Sequence, residues 1–179
     1  MRELSLHLLD ILENSVRAGA ETIRATIELD TEQNWLTLCV EDDGPGFPVP
    51  PERLLDPFFT TKSGKRTGLG LSLFRAAAQQ AGGDLRLGTS DMGGALTRAT
   101  FRYHHLDRAP LGDVPGTFMA ILLSNPEIHI ICQCRGSGKA LALSSREDNG
   151  KNADGSPFAA ARRFSKRVGE MLTDIGVTA

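Results

Sequence analysis

The stretch LLDILENSVRAGA, residues 8–20, sets polar side chains into an apolar helical pattern. Its Leu, Ile and Val residues recur at spacings of three and four, which predicts a helix over residues 3–18. Asp10, Asn14 and Arg17 fall at i, i+4 and i+7 and therefore share one helix face. A carboxylate, an amide and a guanidinium on one face can polarise water, hold a cation and contact phosphate. The stretch therefore predicts both a core helix and a candidate site.

Two hairpins and a second helix are predicted beyond this stretch. Residues 22–29 and 35–40 are rich in β-branched and apolar residues, and residues 84–89 and 96–103 alternate in polarity. Between the hairpins, residues 69–81 have a helix-forming composition. This order predicts a helical layer on one face of a sheet.

The character of the chain changes after residue 105. Residues 107–116 hold two Pro and two Gly, which is typical of a domain boundary. We therefore predict a first domain at residues 1–105 and a small α/β extension at residues 106–179. Within the extension the pattern predicts a helix, two strands and an amphipathic helix, at residues 117–123, 127–134, 140–144 and 158–175.

Composition argues against several classes of protein. The 179 residues carry a formal net charge of -2, which gives no electrostatic case for nucleic acid or an anionic membrane. The longest apolar run, residues 118–123, is too short to span a bilayer. Three cysteines cannot all pair with one another, which favours a reducing, cytoplasmic location. Cys132 and Cys134 lack a second pair at zinc spacing, so ordinary strand residues are favoured over a metal site.

A second polar stretch is VEDDGPGF, residues 40–47, in which a carboxylate leaves a predicted strand into a glycine loop. Gly44 and Gly46 let a flat ligand approach the backbone, because glycine has no side chain. Asp42 can accept hydrogen bonds from an amino group. Taken alone, such a turn is more often only a turn.

A third stretch is TKSGKRTGLGLSLF, residues 61–74, where Gly68 and Gly70 stand at the start of a predicted helix. Free backbone N–H groups and the positive end of the helix dipole make such a place an anion site. Three cations nearby add positive charge: Lys62, Lys65 and Arg66.

Together and in this order, these stretches resemble the histidine kinase-like ATPase superfamily, whose members share the Bergerat fold. DILENS resembles its N box, DDGPG its G1 box, DPFFTTK (residues 56–62) the F box of sensor kinases, and GLGLSL (residues 68–73) its G2 box. The resemblance covers about residues 1–104. It implies an α/β (α+β) two-layer sandwich, a mixed sheet covered by helices on one face, that binds ATP with Mg²⁺.

The resemblance also implies roles for single residues. Asn14 would ligate Mg²⁺, Asp42 would accept a hydrogen bond from the adenine amino group, and residues 60–67 would form a mobile lid. Ala95 stands where the family commonly has Thr, so the threonine contact is missing or is supplied by Thr97. The residues implied to hold the nucleotide are Asp42, Gly44, Gly46, Phe47, Thr61, Lys62, Arg66, Thr67, Gly68, Leu69, Gly70, Leu71 and Thr97.

The helix of the N box combines features of two branches of the superfamily. Hydrolysing members place a Glu general base four residues before the Asn, and this chain has Asp10, whose shorter carboxylate is compatible with slow hydrolysis. Sensor kinases usually carry Lys or Arg three residues after the Asn, and Arg17 matches that pattern. We therefore expect Asp10, Asn14 and Arg17 to act in phosphoryl transfer by an ATP-dependent protein kinase.

The phosphoacceptor is the open question. His105 begins a stretch, HLDRAP, that is similar to the acceptor box of sensor kinases, but a linker histidine is the favoured interpretation. Three functions follow from the resemblance: a kinase acting on a His or Ser of a partner protein, a slow ATPase, and a nucleotide-sensing module without turnover. In each case we expect a protein partner, with no nucleic acid or membrane, and a homodimer is compatible with all three.

Overall fold

One six-stranded sheet holds every strand of the computed structural model, which describes residues 3–55, 69–147 and 156–177. The strands are β1 (Thr22–Asp30), β2 (Trp35–Asp42), β3 (Leu85–Thr89), β4 (Ala95–Arg102), β5 (His129–Gly136) and β6 (Lys139–Ser144). Their order across the sheet is β3-β4-β2-β1-β5-β6. Neighbouring strands run antiparallel, except that β1 and β5 are parallel, so the sheet is mixed.

Five helices accompany the sheet within these ranges. They are α1 (Leu4–Arg17), α2 (Pro51–Leu54), α3 (Leu69–Gln80), α4 (Val114–Ser124) and α5 (Pro157–Asp174). The α4 helix begins three residues before the predicted start, because the Asp113 side chain caps it by accepting the N–H of Gly116 and because Pro115 is tolerated in a first turn. The Ser156 hydroxyl caps α5 in the same way.

The helices cover one face of the sheet. Buried and half-buried residues alternate along β1, and the buried set, Ile23, Ala25, Ile27 and Leu29, faces the helices. Phe101 of β4 and Phe118 of α4 are among the largest side chains that are fully buried between the two layers. The predicted two-layer sandwich, a mixed sheet with helices on one face, is confirmed.

The C-terminal elements continue the same sheet. Strand β5 lies beside β1 along its length, from the Thr22–His129 pair to the Glu28–Arg135 pair. The backbone N–H groups of Leu4 and Ser5, at the start of α1, donate to the carbonyls of Pro110 and Leu111 at 3.0 and 2.8 Å. The domain boundary at residue 105 stays a prediction. A boundary there would separate β1 from β5, and the start of α1 from Pro110 and Leu111.

Two further features belong to the whole described chain. None of its helices is long and apolar enough to cross a membrane. Within residues 3–55, 69–147 and 156–177, no group of three or more His, Cys, Asp or Glu residues is placed to hold a metal ion. Cys132 and Cys134 are free thiols buried on β5.

Candidate functional site

The centre of the candidate site is the carboxylate of Asp42 at the end of β2. It is buried under α1, with a relative exposure of 4%. One carboxylate oxygen accepts the Ser15 hydroxyl at 2.5 Å, and the other accepts the backbone N–H groups of Ala95 at 2.9 Å and Gly44 at 3.1 Å. A buried charge is tolerated only when such donors surround it, so the carboxylate is fixed in position and orientation.

Glycines form the wall next to this carboxylate. Gly94 donates its N–H to the backbone carbonyl of Asp42 at 3.0 Å, and a Cβ on Gly94 would collide with the Asp42 carboxylate. Gly46 has a φ of +77°, a left-handed conformation that favours glycine. Backbone without side chains therefore lies beside Asp42, as the approach of a flat ligand requires.

Ser15 is a site residue that the sequence analysis did not identify. The helical pattern places Ser15 on the buried stripe of α1, and the structure uses its hydroxyl as a donor to Asp42. Its position directly after Asn14 in DILENS was the available signal. Ser15 and the N–H of Ala95 supply hydrogen bonds to Asp42, whereas Thr97 is buried on β4 without a hydrogen bond to Asp42 among the described residues.

The polar face of α1 meets the start of α3. A Cβ on Gly70 would lie 3.6 Å from the Asp10 carboxylate, which is ordinary contact, so the G2 region and Asp10 are adjacent. Asn14 is half-buried one turn further along α1. The structure therefore brings Asp10, Asn14 and Gly70 to one side of α1.

Arg17 lies apart from the group formed by Asp10, Asn14 and Gly70. Its guanidinium donates to the Glu13 carboxylate at 2.7 Å, and the Arg17 side chain is 51% exposed. Both residues line a cavity of about 260 Å³ between α1 and α4. A larger cavity of about 520 Å³ lies between the end of α4 and α5, with Phe164 in its wall, and contains none of the predicted site residues.

The remaining predicted residues divide into two groups. Phe47 is half-buried in the loop after β2, Leu71 packs against the core, and Leu69 opens α3. The F box at residues 56–62 and the lid at residues 60–67 lie outside the described residues. The same holds for these predicted nucleotide contacts: Thr61, Lys62, Arg66, Thr67 and Gly68.

Asp43 anchors the other side of the G1 loop. Its carboxylate accepts the N–H groups of Glu21 at 2.8 Å and Thr22 at 2.9 Å, at the start of β1. Burial acts to raise the pKa of Asp43, but the hydrogen bonds from Thr22 and Glu21 outweigh it and hold that pKa below 3.8. The charged form of Asp43 thus ties the end of β2 to the start of β1.

More than half of the chain is similar to known proteins. Residues 2–106 match the family described as "Histidine kinase-, DNA gyrase B-, and HSP90-like ATPase". The chain is 33% identical over 107 residues to the sensor protein kinase PilS of Pseudomonas aeruginosa, covering 56% of this chain and 20% of that protein. It is 35% identical over 101 residues to the sensor protein RstB of Escherichia coli, covering 53% of this chain and 23% of that protein.

The chain spans only about a fifth of the length of either relative. Among solved structures, the fold is similar to the N-terminal domain of a DNA repair protein, with a TM-score of 0.51 at 13% identity. That likeness covers 90% of this chain and 56% of the other. The likeness in fold therefore extends past residue 106 into the C-terminal elements.

Proposed function

Because the chain belongs to the histidine kinase-, DNA gyrase B- and HSP90-like ATPase family, we propose that it binds Mg-ATP and transfers the γ-phosphoryl group to a His or Ser of a partner protein. The site's acidic, amide and glycine groups suit positioning and charge stabilisation, which dominate phosphoryl transfer. We assign the activity to the cytoplasm, with which the three free thiols are compatible.

The observation that carries the proposal is the buried Asp42 carboxylate with glycine backbone beside it. A fixed carboxylate can accept a hydrogen bond from the amino group of adenine. Ser15, Gly44 and Ala95 hold the Asp42 carboxylate in place for that bond. A flat base fits against Gly44 and Gly94, where side chains are absent. Asp42 therefore gives specificity for the base.

We assign binding of the nucleotide's phosphate groups to α1 and the start of α3. Asn14 would hold Mg²⁺ through its amide oxygen, and the bound ion would neutralise charge on the phosphates. The first turn of α3, from Leu69 onward, offers backbone N–H groups and the positive end of a helix dipole to an anion.

The test is incubation of the full chain with γ-labelled ATP and Mg²⁺, alone and with a cell extract from the source organism. We expect label on a second protein, and loss of labelling in Asp42→Asn and Asn14→Ala. Asp91→Asn, an exposed residue of the turn before β4, is the control for an acidic change. Undiminished Mg-ATP binding by both site variants would contradict the site itself.

Slow ATP hydrolysis is the second candidate, and the position of Asp10 favours it. The Asp10 carboxylate lies beside Gly70, at the side of α1 that we assign to the phosphates. A carboxylate there can take a proton from attacking water. If the chain hydrolyses ATP, the Asp10→Asn variant should lose its release of free phosphate. If the chain transfers the phosphoryl group to a partner protein, labelling of that partner should survive in the same variant.

A further inference from the structure

The sheet has a second face, turned away from the helices, and within residues 3–55, 69–147 and 156–177 most of its side chains are half-buried or exposed. We call it the open face and define it by the side chains that alternate with the buried ones on β1 to β5. These are Thr22, Arg24, Thr26, Glu28, Asp30, Trp35, Thr37, Cys39, Glu41, Arg86, Leu96, Arg98, Thr100, Arg102, His129, Ile131, Gln133 and Arg135.

The open face is positively charged although the chain is not. It carries five arginines against Glu28, Glu41 and Asp30, an excess of two positive charges, while the whole chain has a net charge of -2. Positive charge is thus concentrated on one flat surface, which is the pattern that attracts an anionic partner.

Three of the five arginines already have partners or a cross-strand glutamate. Arg24 lies 3.5 Å from the Glu41 carboxylate, and Arg135 stands opposite Glu28 in the register of β1 and β5. The guanidinium of Arg102 lies 3.9 Å from the centre of the Trp35 ring. These side chains stabilise the sheet itself.

Arg86 and Arg98 differ from the other three arginines of the open face. They are directly opposite each other on β3 and β4, both are exposed, and neither forms an ion pair within the described part of the chain. Like charges opposite each other on neighbouring strands destabilise a sheet. The sheet therefore carries a local cost at this pair that no ion pair between described residues relieves.

We propose that the open face docks an acidic protein surface, with Arg86 and Arg98 as its anchors. Each guanidinium can bind a carboxylate through two parallel hydrogen bonds, and a carboxylate between them would remove the repulsion. Nucleic acid is disfavoured because the aromatic ring of this face, Trp35, already stacks on Arg102 and is not free to stack on a base.

The docked partner would leave the nucleotide site open. Asp42 ends β2 and Ala95 begins β4, and the buried Asp42 carboxylate faces α1. The open face presents the other side of the same two strands. This inference goes beyond the proposed function and does not depend on phosphoryl transfer.

The experiment measures binding of a fluorescein-labelled oligoglutamate peptide to the full chain by anisotropy, without nucleotide. We expect binding that weakens as salt rises and that falls by about tenfold or more in R86E/R98E. R162E/K166E, on the exposed side of α5, makes the same change in net charge and should stay within about twofold of the unaltered chain. Equal losses in both variants, or no binding at all, would overturn the proposal.

A single substitution distinguishes an effect on docking from an effect on folding. R98E places a carboxylate opposite Arg86, so we expect its melting temperature to rise while its affinity for the peptide falls. Unchanged affinity in R98E would overturn the proposal. So would tighter binding of oligothymidine or of phosphatidylglycerol vesicles than of the peptide at the same salt.

Discussion

The Ser15 hydroxyl and the Asp42 carboxylate are 27 positions apart in the chain and 2.5 Å apart in the structure. The partial positive charge of the hydroxyl hydrogen stabilises a carboxylate that belongs to a buried residue. Because Ser15 belongs to α1 and Asp42 to β2, this bond also fixes the helix of the N box against the G1 strand. One hydroxyl thus connects the two halves of the proposed site.

Ser15→Ala is expected to weaken both folding and nucleotide binding. Removing one donor from a buried carboxylate costs about 1–3 kcal/mol of the free energy of unfolding, and we expect ATP affinity to fall by about tenfold. Chemical denaturation and calorimetric titration measure the two effects. The matched control is Ser5→Ala, a buried serine of the same helix that bonds to Glu3 and not to the site. Similar losses of ATP affinity in both variants would argue against the role of Ser15.

Gly94→Ala tests the glycine wall. The added methyl group would collide with the Asp42 carboxylate, so we expect the variant to lose about 2 kcal/mol or more of stability, and its ATP affinity as well. At Gly88 the nearest atom to an added Cβ is on the Leu96 side chain, at 3.9 Å, so Gly88→Ala is the control. Melting temperatures and ATP titrations of both variants check the prediction, and equal behaviour would contradict it.

At the scale of elements, local patterns predicted nearly every helix and strand to within three residues. Alternating polarity gives the hairpins, and apolar spacing gives α1 and α5, because both depend on neighbours in sequence. Strand pairing depends on distant residues, so the place of β4 beside β2 and of β5 beside β1 was not predicted. The same limit explains why Ser15 was assigned to the core, since its partner Asp42 is 27 positions away. The pair of Glu13 and Arg17 is a local i, i+4 pair that helical spacing could have predicted.

The junction of β1 and β2 should respond to acid through Asp43. Its pKa is lower in the folded chain than 3.8, so its charged form stabilises the fold above that pH, and the contribution is lost as the pH falls through the folded pKa. Asp43→Asn should therefore lower stability at neutral pH and flatten the loss of stability below about pH 4. Thermal melts from neutral to acidic pH check this, with Asp91→Asn as the comparison; an unchanged acid profile in Asp43→Asn would refute it.

At the scale of the whole molecule, the contacts across residue 105 favour one cooperative unit. Strand β1 has β2 on one side and β5 on the other, and α1 is held at its start by the backbone of Pro110 and Leu111. Removing residues 106–179 would expose one edge of β1 and the apolar face of α1 that packs on α4. The predicted first domain would then lack part of its core.

We therefore expect a chain that ends at residue 105 to lose cooperative thermal unfolding and to bind ATP poorly. Circular dichroism and ATP titration of the shortened and full chains measure this. Leu106→Ser, at a side chain that is 94% exposed, should leave the full chain unchanged and controls for the junction. A shortened chain that unfolds cooperatively and binds ATP like the full chain would establish residue 105 as a domain limit.

The parallel pairing of β1 with β5 also has a consequence for synthesis. Strand β1 leaves the ribosome about a hundred residues before its second neighbour β5, a delay of roughly 5–20 seconds at ordinary translation rates. During that time the central strand offers an unpaired, apolar edge to every other nascent chain nearby. The proposed nucleotide site would therefore be complete only after β5 has been made, and folding helpers would act on this chain before ATP could bind.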